Sequence, residues 1–171
     1  MNTKRSSIIR RRLLGLLRGE RGSAIVELAM VVSFFGAPLL LGTGEMGLLA
    51  YDSIEVTNAA NAGAYYGMRN STFAANTTGM VSAAQAEAAD FGSKVTVTPT
   101  TYYACSANVA GTQYTGSNAQ SNATSGCTGS GNHALQFVQV TVSITVTPGI
   151  HLPGQASSFA LTRTAVMEVE Q

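Results

Sequence analysis

Gly22, Ser23 and Glu27 stand at the start of the longest apolar stretch of the chain, and their spacing could support one kind of chemistry. Ser23 and Glu27 are four residues apart, so a helix places one above the other on the same face. If the chain is cut after Gly22, Ser23 gains an α-amino group. The Glu27 carboxylate could then pair with that amine, in its own chain or in a neighbouring one. The alternative is a glutamate that is simply solvated in the lipid headgroup zone.

The residues after Glu27 form a candidate membrane-spanning segment. Residues 28–44 are an uncharged run of 17 residues, bounded by Glu27 and Glu45. A helix of this length covers about 25 Å, slightly less than a hydrocarbon core of about 30 Å. Residues 23–26 make up the difference but place Glu27 about one turn inside the membrane, where a charged side chain is costly and needs a partner. Pro38 predicts a helix kink, because a helical proline removes a backbone hydrogen bond.

The charge distribution predicts the orientation of this segment. Residues 1–22 contain seven basic residues against Glu20, a net charge of +6, whereas the remainder contains three basic and eight acidic residues, a net charge of −5. Basic residues before an apolar segment keep that end of the chain in the cytoplasm. Because a membrane segment adjoins the arginines, we interpret them as topology determinants rather than as a nucleic-acid patch. We therefore expect an exported C-terminal part, a membrane as partner and no nucleic acid.

Four stretches of the chain resemble one family. The sequence RGSAIVEL at residues 21–28 resembles the processing site of type IV pilin-like proteins, where a prepilin peptidase cuts after a glycine that precedes a glutamate by five residues. GEMG at residues 44–47 and VTNAANAGA at residues 56–64 resemble the TadE/TadG-like pseudopilins of the tight-adherence (Tad) pilus. The closing residues 161–170 are similar to that family's last strand. The resemblance implies a processing site at Gly22 and Ser23, and a role in assembly for Glu27.

The resemblance also implies a function. The chain would be a minor pseudopilin-like structural protein of Tad pilus biogenesis, acting in pilus initiation, assembly or anchoring. Its partners would be the major pilin and other pseudopilins, the prepilin peptidase and the inner-membrane pilus assembly platform. It would lie in the bacterial inner membrane as a single-pass protein with a periplasmic C-terminal domain, and could be incorporated in the pilus. The alternative is an uncleaved single-pass envelope protein whose periplasmic domain is a binding module.

We divide the chain into a basic prepilin-type leader at residues 1–22, a transmembrane helix with a periplasmic stem at 23–69, and a small periplasmic domain at 70–171. Ala59, Gly63 and Gly67 recur every four residues and form a small face on the stem. Small residues allow close approach, so this face packs either onto its own domain or onto another subunit.

The periplasmic part is predicted to be α+β. Residues 70–78 read as a polar break, residues 80–91 as one short helix, and residues 94–103, 137–147 and 159–169 as strands of a small antiparallel sheet. Pro99 indicates that the first strand lies at an edge or ends there. The fold class is thus a long N-terminal transmembrane helix that continues as a stem, one short helix and a sheet of about three strands, with the stem covering one sheet face.

Cys105 and Cys127 are the two cysteines of the chain, and they bracket a loop rich in Gly, Ser, Asn and Thr. In an oxidising periplasm they predict a disulfide, which would stabilise the domain by roughly 3 kcal/mol on the chain-entropy model. The alternative to a disulfide is a zinc site, but the spacing of the two cysteines, His133 and His151 is irregular for zinc ligands. We expect no metal and no cofactor.

No pattern in the chain indicates catalysis. Neither histidine is paired by motif with a cysteine or serine nucleophile, and no phosphate-binding loop or dinucleotide fingerprint is present. The acidic residues beyond the stem are too scattered to propose an acid/base pair. The sequence therefore predicts that the protein is not an enzyme.

Overall fold

A computed structural model of the chain describes residues 21–149 and 157–170. These residues form two compact units that divide between Met46 and Gly47. The predicted leader, apart from residues 21 and 22, and the predicted loop position of His151 lie outside the described residues.

The first unit is helical throughout its described part. Helix α1 spans Arg21–Val31, a π-helical turn spans Val32–Gly36, and helix α2 spans Ala37–Met68 and continues into the second unit. The Ala37 N–H donates to the Val32 carbonyl, five residues back. The next residue, Pro38, has no N–H to donate. The wider π-helical turn therefore lies where the helix lacks one backbone hydrogen bond. The kink predicted at Pro38 stays a prediction.

The second unit contains a three-stranded antiparallel sheet with the order β1-β2-β3. The strands are β1 Thr96–Cys105, β2 Ala134–Val146 and β3 Phe159–Glu168. Pro99 lies in β1, opposite Val140 of β2. Strand β1 is an edge strand, as predicted. The α+β fold class, with a long N-terminal apolar helix and a small antiparallel sheet, is confirmed.

The core of this unit lies between the C-terminal half of α2 and one face of the sheet. Alternating side chains of β2 are buried there, namely Val138, Val140, Val142 and Ile144. The facing residues of α2 are mostly small: Val56, Ala59, Ala60, Gly63, Ala64 and Gly67. Of the two packing alternatives for the small face of the stem, the structure therefore has the first, in which it packs onto its own domain.

The helices after the stem differ from the prediction of one short helix over residues 80–91. The structure has α3 Ser71–Ala75, α4 Thr77–Glu87 and a 3-10 helix at Ala89–Lys94. The polar break predicted at residues 70–78 is wrong because its asparagines are N-caps. Asn70 Oδ1 accepts from the backbone N–H groups of Thr72 and Phe73, and Asn76 Oδ1 accepts from Gly79. Each asparagine thereby satisfies backbone donors that the first turn of a helix leaves free.

The polar segment after β1 contains a further helix, α5 Ala119–Gly126, which the sequence analysis missed. Ala119 and Ala123 are buried on one face of this helix. The predicted disulfide between Cys105 and Cys127 is present and joins the end of β1 to the residue after α5, with a Cα–Cα distance of 5.2 Å. This bond fastens the segment to the sheet.

Candidate processing and assembly site

Gly22 and Ser23 lie in the first turn of α1, and Glu27 follows one turn later. The four-residue spacing of Ser23 and Glu27 places them on one side of this helix. Both residues are exposed. A cut after Gly22 would therefore produce an α-amino group one helical turn from the Glu27 carboxylate, as the sequence analysis expects.

The helix around these residues exposes apolar side chains on every side. More than half of the surface of each is exposed for Ile25, Val26, Leu28, Met30, Val31, Val32, Phe34, Phe35, Leu39, Leu40, Leu41 and Met46. Contiguous apolar surface on this scale is unfavourable in water and indicates a membrane or other protein around the helix. By length and composition the helix Ser23–Met68 can cross a membrane, although a signal sequence near the N-terminus would pass the same test. It is compatible with a single-pass membrane protein.

In the second unit, Glu55 and Asp90 form a close acidic pair between α2 and the 3-10 helix. Glu55 Oε2 is buried and has no hydrogen-bond partner within residues 21–149 and 157–170. Burial raises the pKa of Glu55, as do the negative charges of Asp90, Asp52 and Glu87 and a hydrogen bond with the Asp90 side chain. Because carboxylates of like charge repel each other, ionisation of Glu55 is disfavoured in the folded state.

The two cysteines and His133, which are the candidate zinc ligands among the described residues, have other contacts. Cys105 and Cys127 are bonded to each other, so their sulfurs are not thiolate ligands. His133 Nδ1 lies 3.1 Å from the Gly131 carbonyl and 3.3 Å from Ser106 Oγ. Within the described residues no group of three or more His, Cys, Asp or Glu side chains could hold a metal ion.

The comparison with protein families gives one match. The family model described as TadE-like protein matches residues 22–64, about a quarter of the chain, and so includes Gly22, Ser23, Glu27 and the small-residue stretch of the stem. No curated protein and no solved structure shows significant similarity to the chain. The match confirms the family resemblance predicted from the sequence. Over residues 22–64 the chain is therefore similar to TadE-like proteins.

Proposed function

We propose that this chain is a minor pseudopilin-like structural protein of Tad pilus biogenesis, cleaved between Gly22 and Ser23 by a prepilin peptidase. The observation that supports this most directly is the position of these residues. They begin an exposed apolar helix, with Glu27 at the spacing that the peptidase reads, inside the segment that is TadE-like. In this role the protein acts in pilus initiation, assembly or anchoring and has no catalytic activity.

Assembly is the mechanism of such a protein. After cleavage the Ser23 ammonium and the Glu27 carboxylate lie near the membrane surface on one helix. An unpaired carboxylate in a medium of low dielectric is heavily destabilised, whereas a paired one is much less so. A Glu27 side chain that pairs with the amine of a neighbouring subunit thus favours the assembled state over the isolated one. The exposed apolar helix supplies the remaining contact area.

The second unit supports a minor rather than a major role. The domain that we propose at residues 70–171 is much larger than the short body of a major Tad pilin. We propose that it extends from the bacterial inner membrane into the periplasm and contacts the major pilin, other pseudopilins and the assembly platform. The basic leader would stay in the cytoplasm until the peptidase removes it.

A second candidate function is an uncleaved single-pass envelope protein whose domain is a binding module. It is favoured by one observation, a polar cleft in the second unit that Tyr103 and Gln136 line. The two candidates differ in whether residues 1–22 remain in the mature chain.

The test is an intact mass and N-terminal sequence of the protein isolated from its native membrane, together with a Gly22→Lys variant. The proposal expects a mature chain that begins at Ser23, and an uncut chain in the variant. The matched control is Gly15→Lys, because Gly15 also precedes a glutamate, Glu20, by five residues. This control should be cleaved normally. An intact N-terminus in the wild-type chain, in cells with an active prepilin peptidase, would favour the uncleaved envelope protein.

A further inference from the structure

A polar cleft of about 640 Å³ lies at the end of the sheet in the second unit. Tyr103 of β1 and Gln136 of β2, which are cross-strand partners, both line it. Residues 70 and 71 after α2, one side of α5 and Glu170 after β3 complete its walls. Its volume falls within the range of about 300–1,000 Å³ that is typical of small-molecule sites.

Gln136 is the feature of this cleft that indicates a ligand. It is buried, with only 9% of its surface exposed. Its backbone carbonyl accepts a hydrogen bond of 2.9 Å from the Val169 N–H. Its side chain lines the cleft, and its amide atoms are not among the fully buried, unpaired polar atoms of the described residues. A glutamine that is nine-tenths buried at a cleft is held in place by its surroundings, and its amide can form hydrogen bonds with a group that enters the cleft.

The rim of the cleft is held in place by hydrogen bonds within the protein. Asn132 Oδ1 accepts from the Ala107 N–H at 3.0 Å and from Ser106 Oγ at 3.2 Å, and Asn132 Nδ2 donates to the Thr128 carbonyl. The contacts of His133 Nδ1 leave Nε2 as the ring nitrogen that can bind a ligand. The Cys127 end of the disulfide is also part of the lining. A rim of fixed geometry lowers the entropy that binding costs.

The composition of the lining selects the chemistry of the ligand. Among the described residues, the side chains of the lining comprise four primary amides, three hydroxyls, one imidazole and one carboxylate, with no lysine or arginine. The absence of a cation from this lining disfavours phosphates and other anions, and the scarcity of apolar side chains disfavours acyl chains. Amides and hydroxyls both donate and accept hydrogen bonds, as the hydroxyl groups of a sugar also do.

We propose that this cleft binds a neutral saccharide, with the side-chain amide of Gln136 as the buried hydrogen-bonding partner of a sugar hydroxyl. The domain thereby has a recognition function in addition to its role in assembly. The inference rests only on the second unit and does not require cleavage at Gly22.

The experiment uses the full chain in lipid nanodiscs prepared without glucoside or maltoside detergents, whose headgroups are sugars. The probes are maltose, cellobiose, lactose and N,N′-diacetylchitobiose, measured by saturation-transfer NMR and calorimetry. We expect at least one of them to bind. In Gln136→Leu, which removes the amide but keeps the size of the side chain, its Kd should rise at least tenfold while the Tm stays equal or increases. A merely structural role for Gln136 would instead lower the Tm.

The matched control is Gln139→Leu, which makes the same change on the same strand at a residue that does not line the cleft. It should bind the saccharide as the wild type does. The proposal is overturned if none of the four probes binds, or if Gln136→Leu binds as tightly as the wild type. It is also overturned if both variants lose binding equally, or if a neutral tetrapeptide binds and no saccharide does.

Discussion

Gly67 of α2 lies directly against Val138 of β2. A Cβ atom on Gly67 would be 2.6 Å from Met80 Sδ and 2.9 Å and 3.1 Å from the two methyl carbons of Val138, and the first two distances are shorter than real Cβ atoms show. One turn earlier, a Cβ on Gly63 would be 3.0 Å from Val140 Cγ1 and 3.1 Å from the Met80 carbonyl oxygen. The stem and the sheet therefore pack so closely at these two glycines that an added methyl group must displace its neighbours.

We expect Gly63→Ala and Gly67→Ala to destabilise the second unit. An added methyl must displace packed neighbours, which typically costs about 1–3 kcal/mol and outweighs the gain of up to about 1 kcal/mol from the better helix propensity of alanine. Chemical denaturation of the full chain in detergent, followed by circular dichroism, measures the change.

Gly47→Ala is the control for these variants, because nothing lies within 4 Å of a Cβ at that position of the same helix. Its stability should equal or exceed that of the wild type. If Gly63→Ala and Gly67→Ala behaved in the same way as Gly47→Ala, the close contact between the stem and β2 would be contradicted.

The packing of the stem illustrates what the sequence could predict. The spacing of Ala59, Gly63 and Gly67 predicts a small face, but periodicity within one helix does not identify its partner. The strict alternation after Phe137 predicts β2. The strand begins earlier, at Ala134, because pairing with β1 extends through residues whose pattern is weak.

Neither the short helices nor the cleft could be predicted from the sequence, and the physical reason differs between them. Asn70 and Asn76 lie in a predicted break, but asparagine also caps helices, and only the backbone geometry distinguishes the two roles. The cleft is lined by residues between Asn70 and Glu170 that are far apart in the chain. Polar residues at such separations form no sequence pattern, so tertiary structure alone brings Tyr103 and Gln136 to one site.

Glu55 makes the stability of the second unit depend on pH. Its pKa is raised above 4.5, first by burial and then by Asp90 and the other nearby carboxylates. Above about pH 4.5 the folded state thus holds a proton that the unfolded state has released, and stability is lost as the pH rises through the raised pKa. We expect the Tm of the wild type to fall across this interval, and Glu55→Gln to flatten the dependence and increase the Tm at pH 8.

The physical reason is that a glutamine at position 55 carries no charge and can donate a hydrogen bond to the Asp90 carboxylate. Asp90 is exposed and Glu55 only half-buried, so solvent screening should keep the gain at pH 8 below about 1 kcal/mol. Glu87→Gln removes one acidic charge from the same group but leaves the buried Glu55 oxygen in place, and should change the profile less. A Tm of the wild type that is constant from pH 4 to pH 8 would argue against the raised pKa.

The disulfide should account for a large part of the stability of the second unit. Its cysteines are separated by 22 residues, so the chain-entropy model gives about 3 kcal/mol for closing the loop. We expect a Cys105→Ser/Cys127→Ser double variant to lose about that much in denaturant titrations. Its saccharide affinity should also fall, because Cys127 lines the cleft.

Reduction of the wild type with dithiothreitol provides the comparison, because it opens the same loop without any substitution. Reduced wild type and the double variant should unfold at similar denaturant concentrations, and dithiothreitol should leave the double variant unchanged. Equal stability of the oxidised wild type and the double variant would show that α5 and the polar segment around it are held without the bond.

A substitution at Glu27 separates the two roles proposed for the N-terminal residues, which are cleavage and assembly. Glu27→Gln removes the carboxylate but leaves Gly22 and Ser23, so the variant should still be cut before Ser23 if the glycine directs cleavage. It should then fail to enter complexes with the major pilin, because the neutral amide cannot neutralise the Ser23 ammonium of a neighbour. Intact mass reports cleavage, and co-purification from native membranes reports assembly.

Poor membrane insertion could not explain such a loss, because a glutamine costs less in the membrane than an ionised glutamate does. Glu20→Gln is the matched control. It makes the same change in the proposed leader, so cleavage would give a mature chain identical to the wild type, and assembly should be unaffected. Normal assembly of Glu27→Gln would remove the carboxylate–ammonium pair from the mechanism and leave the exposed apolar helix and the contacts of the second unit as the basis of assembly.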